Sequence, residues 1–449
     1  MRANARSEEV NIKSGTEEVS YFVTEPQKYL PTLPLIVLSD GVPFYDGNMT
    51  IIKWILDTPI VSVETIDSYA TDLCLYVRFL EENGLDHLKM PRMKLKRPTY
   101  KFLQEMNTRV HNGDIAVTRA NRVMGYVVKF YKNMFRCGLI NRGDLQNKPY
   151  EEFEKRIQYE TEYGGKRDAR VLSHDLKIKG AKSSDPTRIT DGDSLKPMLP
   201  EHQIMMLEYL KKSSNVEFGL IVLFSLFSGA RIQTATTLRL KSIDINELDK
   251  MSEFKEVPLR VGPDTGVDTK YNKNIILRPQ VWLIKKLVTY RESDRAENRR
   301  KASVMGENDF NYLFLTKSGN PYYIGKRDIE ELTKYNPIRN PKKASGIRQA
   351  WSKMRKELQI KDVTWDYHYH DSRATYGMNL LDRLMEANKV RPENKKLSNT
   401  AILNHIMQRM GHKNIAVTQQ YLNYRRLNDE LIEAQTSWDK KIVEAIRWP

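Results

Sequence analysis

The chain has 449 residues, 73 Lys and Arg against 57 Asp and Glu, and a net charge of +16, with a mass of 52.5 kDa, a pI near 9.4 and a mean hydropathy of −0.60. That length calls for two or three domains. The hydropathy and the lack of a long apolar run exclude a membrane span, and the first residues do not read as a secretion signal. The basic excess suits a polyanion such as nucleic acid. Cys74 and Cys137 form neither a metal-ligand cluster nor a disulfide framework, so a reducing, cytoplasmic setting is expected.

Residues 1–54 read as an N-terminal extension of small strands and a helix, in which Leu35-Ile36-Val37-Leu38 runs as a strand into the turn Ser39-Asp40-Gly41. Helical spacing then takes over. Ile66, Tyr69, Ala70, Leu73, Tyr76, Val77 and Leu80 predict a helix that Ser62 can cap and Gly84 can end. Pro98 to Met106 predicts a second helix and Arg119 to Arg136 a third. The third carries Val123, Tyr126, Val127, Phe130, Tyr131 and Met134 on one side, and Arg119, Arg122, Lys129, Lys132 and Arg136 on the other. Residues 55–163 thus form a small helical domain with a basic face, and Arg119, Arg122, Lys129 and Lys132 are candidate DNA contacts. Residues 164–197 are rich in Gly, Ser, Asp, Lys and Arg and read as a flexible basic linker, with Lys166 and Arg167 as further candidates.

Regular patterning resumes in residues 198–449. Helices are predicted from Pro200 through Leu210, from Glu217 to Phe227 and from near Arg231 through Leu238. Short strands with a turn near Pro263-Asp264-Thr265-Gly266 fill 254–278, another helix spans Gln280 to Tyr290, and helices dominate from Gly346 onward. The fold class is mainly α with a small antiparallel β-sheet, α+β.

Ser228-Gly229-Ala230-Arg231 places an arginine at a helix start behind a glycine turn, where free N–H groups and the helix dipole already favour an anion. His370-Asp371-Ser372-Arg373 sets a histidine and an arginine three residues apart, on one helix face. Gly411-His412 follows, then Tyr421 on a further helix. Histidine, arginine, histidine and tyrosine are the groups that metal-free cleavage of a phosphodiester needs: a nucleophile, a phosphate clamp and proton carriers.

In this order the residues resemble the tyrosine recombinase (phage integrase) family, whose signature is Arg…Lys…His-x-x-Arg…His…Tyr. The resemblance covers about residues 55–430. It implies a helical core-binding domain, signalled also by Val63-Glu64-Thr65-Ile66-Asp67-Ser68-Tyr69, and a catalytic domain that together form a C-shaped clamp on DNA. Arg231, His370, Arg373, His412 and Tyr421 match the signature, with Tyr421 as nucleophile. The catalytic lysine falls on Asp268-Thr269-Lys270-Tyr271-Asn272-Lys273, ahead of the apolar strand Asn274-Ile275-Ile276-Leu277. Lys270 is favoured and Lys273 is the alternative.

Three departures stand out. Thr234 occupies the place of the acid usually found three residues after the first arginine. Ala374 follows Arg373 where many members have histidine. The span to Gly411 carries an insertion around Arg383 to Asn399.

The resemblance implies DNA cleavage and rejoining through a 3′-phosphotyrosyl link, with no cofactor and no metal, in the integration or excision of a mobile element. Expected partners are double-stranded recombination sites, a homotetramer across two synapsed sites, and accessory DNA-bending or directionality proteins. A type IB topoisomerase-like enzyme and a decayed DNA-binding relative are the alternatives. Leu427, Leu431, Ile432, Ala434, Trp438, Ile442 and Ile446 predict a terminal helix that docks on a neighbouring protomer or on its own core.

Overall fold

A computed structural model describes residues 9–14, 17–22, 33–57, 63–141, 143–160, 166–179, 188–191, 194–245, 247–329, 342–412 and 414–427. The chain divides into two compact units, Met1–Ser183 and Ser184–Pro449. Helices predominate, and the described strands pair as small two-stranded antiparallel sheets. This is the predicted α+β class.

In the first unit the helices Tyr45–Asp57, Val63–Glu82, Pro98–His111 and Val117–Arg136 surround one core. The helical spacing holds: Ile66, Tyr69, Leu73 and Tyr76 are buried against Val123, Val127, Phe130 and Tyr131. The Tyr76 and Tyr131 hydroxyls share a buried hydrogen bond of 2.7 Å, so neither phenol is left unsatisfied. Ser62 lies outside the described residues. Strands Glu9–Ser14 and Glu17–Phe22 pair antiparallel ahead of these helices.

Two sequence expectations need correction here. Leu35–Leu38 is not a strand; an isolated bridge joins Val37 to Pro43. The backbone of Ile36 is satisfied by a side chain instead, donating to Asn48 Oδ1 at 2.7 Å and accepting from Asn48 Nδ2 at 2.9 Å. The basic stretch after 164 is not a continuous linker either. Lys166–His174 pairs antiparallel with Glu152–Glu160. Phe153, Val171 and Leu172 on this ribbon are exposed, and its many charged residues gave it the look of a linker. Its base is pinned by Asp175, which accepts from Tyr100 Oη at 2.6 Å and from the backbone N–H of Glu151 at 3.0 Å.

The basic face of the Val117–Arg136 helix is engaged within its own unit. Arg122 Nε lies 2.7 Å, and Arg119 Nη2 3.9 Å, from the buried carboxylate of Asp72. Lys132 Nζ pairs with Glu152 at 2.6 Å. Lys129 Nζ sits 2.9 Å from the centroid of the Trp54 ring, and burial pulls its pKa down to about 8. Lys166 and Arg167 pair through their backbones with Glu160 and Tyr159; their side chains lie outside the described set.

The second unit is built on the buried helix Val216–Ser228, packed against the helix Asp371–Lys389 and the aromatic group Trp351, Trp365, Tyr367 and Tyr369. Strands Leu259–Val261 and Ile275–Leu277 form its small antiparallel ladder. Residues 383–389 of the expected insertion extend the Asp371–Lys389 helix, and a 3-10 turn at Glu393–Lys395 leads to the next helix, Asn399–Met410. Of the expected terminal helix, residues beyond Leu427 lie outside the described set.

One buried acid ties this unit together. Glu217 accepts from Arg295 at 2.7 and 2.8 Å and from Tyr290 Oη at 2.9 Å, with Arg299 Nη1 at 3.1 Å. Burial alone would raise its carboxyl, but Arg295 and the other partners outweigh that and hold it below the usual range. Glu217→Gln is expected to cost about 1–2 kcal/mol in chemical unfolding at neutral pH, because it removes the buried carboxylate that accepts from Arg295 and Tyr290, with part of the loss offset where the Arg295 guanidinium can turn to water. Since the folded carboxyl is the stronger acid, that difference is present above the unfolded glutamate range and shrinks as pH falls through the lowered folded range. A gap independent of pH would contradict the assignment.

Candidate active site

Four chain segments of the second unit deliver the arginines, histidines and tyrosine of the signature. The helix Val216–Ser228 ends at Gly229, which adopts φ 70°. A Cβ there would stand 2.6 Å from the Tyr376 ring, so both conformation and space demand glycine. The turn leaves Arg231 as the N-cap of the short helix Ile232–Thr236 rather than inside it. His370 is the N-cap of the helix Asp371–Lys389, and Arg373 lies in that helix's first turn. Gly411, at φ 62°, closes the helix Asn399–Met410. The N–H of Gly411 returns to Gln408 O at 3.2 Å and that of His412 to Met407 O at 3.0 Å. This is the Schellman pattern, and it fixes the backbone of His412. Tyr421 lies on the last described helix, residues 415–427.

Arg231, Arg373 and His412 converge on a residue that sequence reasoning missed. Asp191 Oδ1 accepts from Arg231 Nη2 at 3.1 Å, and its Oδ2 accepts from Arg373 Nε at 2.6 Å. His412 Nε2 lies 3.2 Å from Oδ2, at ion-pair distance but without hydrogen-bond alignment. Arg373 is further fixed by donating from Nη1 to Gly229 O at 2.6 Å and from Nη2 to Met410 O. Burial opposes ionisation of Asp191, yet His412, Arg373 and Arg231 together hold its carboxyl far below the ordinary range. Burial, with Arg373 nearby, pulls the Arg231 guanidinium down to about 10.

Tyr421 is fully buried. Its ring stacks on His412 with centroids 6.1 Å apart and planes at 27°. His412 is held from its other nitrogen by Thr418 Oγ1 at 3.0 Å. Burial, followed by the charge of Asp191, drives the phenol well above its usual pKa, against the opposing pull of Arg373 and Arg231.

A cavity of about 240 Å³ is lined by Asp191, Arg231, Arg373, His412, Lys270 and Lys273. An adjoining hollow shares Arg231 and Lys270 and adds His370 and His368. The structure thus gathers Arg231, Arg373, His412 and both candidate lysines around one space, and places His370 in the hollow beside it. The lysines sit on a turn in which Tyr271 and Asn272 have φ 64° and 52°, and both face the same cavity. Arg231 Nε, His412 Nε2 and Tyr421 Oη are buried without a hydrogen-bond partner. Partnerless buried polar atoms are costly unless a ligand satisfies them. A tetrahedral anion presents acceptors to the first two and an electrophile to the third.

Asp191 was hidden in the supposed linker. The readable signal was Asp191-Gly192 between Ile189-Thr190 and Ser194-Leu195, which pair as a hairpin. A second such residue is Gly377, where an added Cβ would stand 2.5 Å from Tyr421 Cε1.

No family model and no curated protein matches the chain. Among solved structures, a Tn1549 transposon integrase fragment in complex with transposon right end DNA is 13% identical, with 86% of this chain and 98% of that chain covered at a TM-score of 0.45. A lambda integrase dimer bound to a COC′ core site is 10% identical, with 83% and 94% covered at a TM-score of 0.46. The chain is similar to both. The likeness is distant in sequence and partial in superposition.

The contact at Gly377 gives a test free of any assay for activity. In an open helix position Gly→Ala stabilises by about 0.5–1 kcal/mol. Gly377→Ala is instead expected to destabilise by about 1–3 kcal/mol, through overpacking against Tyr421. Introducing it into a Tyr421→Ala chain should cost far less, and the coupling is read from a double-mutant cycle in thermal unfolding.

Proposed function

We propose that this protein is a site-specific DNA recombinase of the tyrosine recombinase class, acting on double-stranded DNA through a 3′-phosphotyrosyl intermediate. One observation carries the reading: two arginines, a histidine and a lysine pair face one cavity, with a buried tyrosine stacked on that histidine.

In this reading the scissile phosphate enters the cavity, and Arg231 and Arg373 bind its non-bridging oxygens with the N–H groups that Asp191 and the two carbonyls leave over. His412 donates to the same phosphate. Tyr421 turns from its buried pose and its oxygen attacks phosphorus. Its proton passes to His370, because a phenol whose pKa is raised by burial is a poor nucleophile until deprotonated. The P–O5′ bond breaks, and Lys270 protonates the departing 5′-oxygen. The phosphotyrosyl ester keeps the phosphodiester's energy, so a second 5′-hydroxyl can attack it and reseal the strand. Exchange between two sites calls for a tetramer, and integration or excision of a mobile element is the biological setting that such chemistry serves.

The experiment uses nicked duplexes of randomised sequence, with covalent adducts captured under denaturing conditions and sequenced. Wild-type protein should enrich one site, and Tyr421→Phe should capture none. Adduct that persists in Tyr421→Phe refutes the nucleophile. Arg231→Ala and Arg373→Ala should each slow adduct formation by roughly 100- to 1,000-fold. Relaxation of any supercoiled plasmid without paired sites would instead favour a topoisomerase.

The lysine assignment has its own test. A bridging 5′-phosphorothiolate leaves as a thiolate and needs no proton. On that substrate Lys270→Ala should regain near wild-type cleavage while remaining defective on ordinary DNA. Recovery confined to Lys273→Ala would transfer the role to Lys273.

A further inference from the structure

We infer that Asp191 is the positioning residue of this site, the acid that aligns Arg231 and Arg373 for the phosphate; the inference rests on the recombinase reading above. Two guanidinium groups that face one small cavity repel each other, and burial adds a desolvation cost to both. The Asp191 carboxylate meets one edge of each, at 3.1 Å and 2.6 Å. The edges it does not occupy remain for a ligand. Arg231 Nε has no partner, and each terminal nitrogen of Arg373 keeps one hydrogen beyond its bond to Gly229 O or Met410 O. Thr234 lines the same cavity and is uncharged, so Asp191 supplies the negative charge that the Arg231 helix lacks.

The alternative is that Asp191 merely fastens its hairpin. The hairpin has its own fastenings. Thr190 N donates to Gln420 Oε1 at 2.7 Å, Lys196 N to Asp371 Oδ1 at 2.8 Å and Met198 N to Thr375 Oγ1 at 2.9 Å. Ile189 and Leu195 are buried in the cluster that contains Tyr421. The carboxylate is therefore free to serve the arginines.

The test uses the full-length chain and the duplex captured by wild-type protein, with Asp191→Asn, Asp191→Glu and Tyr421→Phe measured side by side. Non-covalent affinity is read in the Tyr421→Phe background, and adduct formation in single turnover. Asp191→Asn should bind DNA as tightly as its parent or more tightly, because a negative charge beside the phosphate is gone. It should form adduct roughly 100-fold more slowly, the size of effect that follows from ångström-scale misplacement of clamping groups. Asp191→Glu should recover most of that rate.

An unchanged rate in Asp191→Asn overturns the inference. So does a joint fall of rate, affinity and melting temperature that Asp191→Glu does not repair, which marks a fold-holding acid. Failure of the wild type itself to form adduct overturns the recombinase reading, and the role of Asp191 with it.

Discussion

One buried carboxylate shared by two arginines is the constraint around which the candidate site is arranged. A guanidinium stays charged at any working pH, so two of them beside one cavity need a counter-charge at short range. Asp191 provides it, and its pairing requires distant segments to meet. The hairpin at Ile189–Leu195, the turn after Gly229, the first turn of the Asp371 helix and the glycine-closed end at Gly411 each contribute a contact to Arg373 or its acid. Shifting any of these backbones by an ångström breaks a bond to the Arg373 guanidinium or its acid, both of which are buried.

The same convergence explains the pose of Tyr421. Its ring is closed in by His412 on one face and approached by the Cα of Gly377, where no side chain fits. Its hydroxyl has no partner, and burial and the neighbouring acid disfavour the phenolate. A tyrosine stored this way is chemically quiet. In the proposed reaction its reactivity arises only when a phosphate supplies the electrophile and draws the phenol toward the arginines. The hairpin reaches this helix through the Thr190 to Gln420 bond, one residue from Tyr421. The acid that sets the arginines and the helix that bears the tyrosine are thereby joined mechanically.

How much of this was legible depended on which residues carry periodicity or chemistry. Helices with a buried stripe were readable, because Ile66, Tyr69, Leu73 and Tyr76 repeat at helical spacing and are buried. Arg231, Arg373, His412 and Lys270 were readable by type and order, and they do meet at one cavity. The Glu152–Glu160 and Lys166–His174 ribbon was not, since its density of charged residues reads as a solvated linker. Asp191 was invisible for a related reason. A lone acid in a polar turn looks like solvent-facing loop, and its value comes from three partners, each of them 40 or more positions away in sequence. The basic face of the first unit was readable as charge but not as pairing. Arg122, Lys129 and Lys132 looked available, whereas Asp72, Trp54 and Glu152 engage them.

The lysine turn shows how the fold sustains a conformation that its sequence disfavours. Tyr271 and Asn272 occupy the left-handed region, which costs a non-glycine residue about 1–2 kcal/mol. The turn persists because it is held from several sides. Thr269 Oγ1 donates to Lys273 O at 2.5 Å, Asp268 accepts from Gln233 Nε2 at 3.0 Å and from Lys326 N at 3.1 Å, and Asp268 N donates to Thr237 Oγ1 at 2.9 Å. Behind it Arg239 donates to Gly266 O at 2.8 Å, pairs with Asp328 at 2.5 Å and lies 4.0 Å over the Tyr312 ring. Such bracing fixes a backbone rather than an ammonium group. It limits where Lys270 and Lys273 can reach, and both line the cavity that Arg231 and Arg373 face. In the proposed reaction the two sides divide the work: the arginine pair, fixed by Asp191 and two carbonyls, would grip the oxygens that stay, and a lysine on the braced turn would meet the oxygen that leaves.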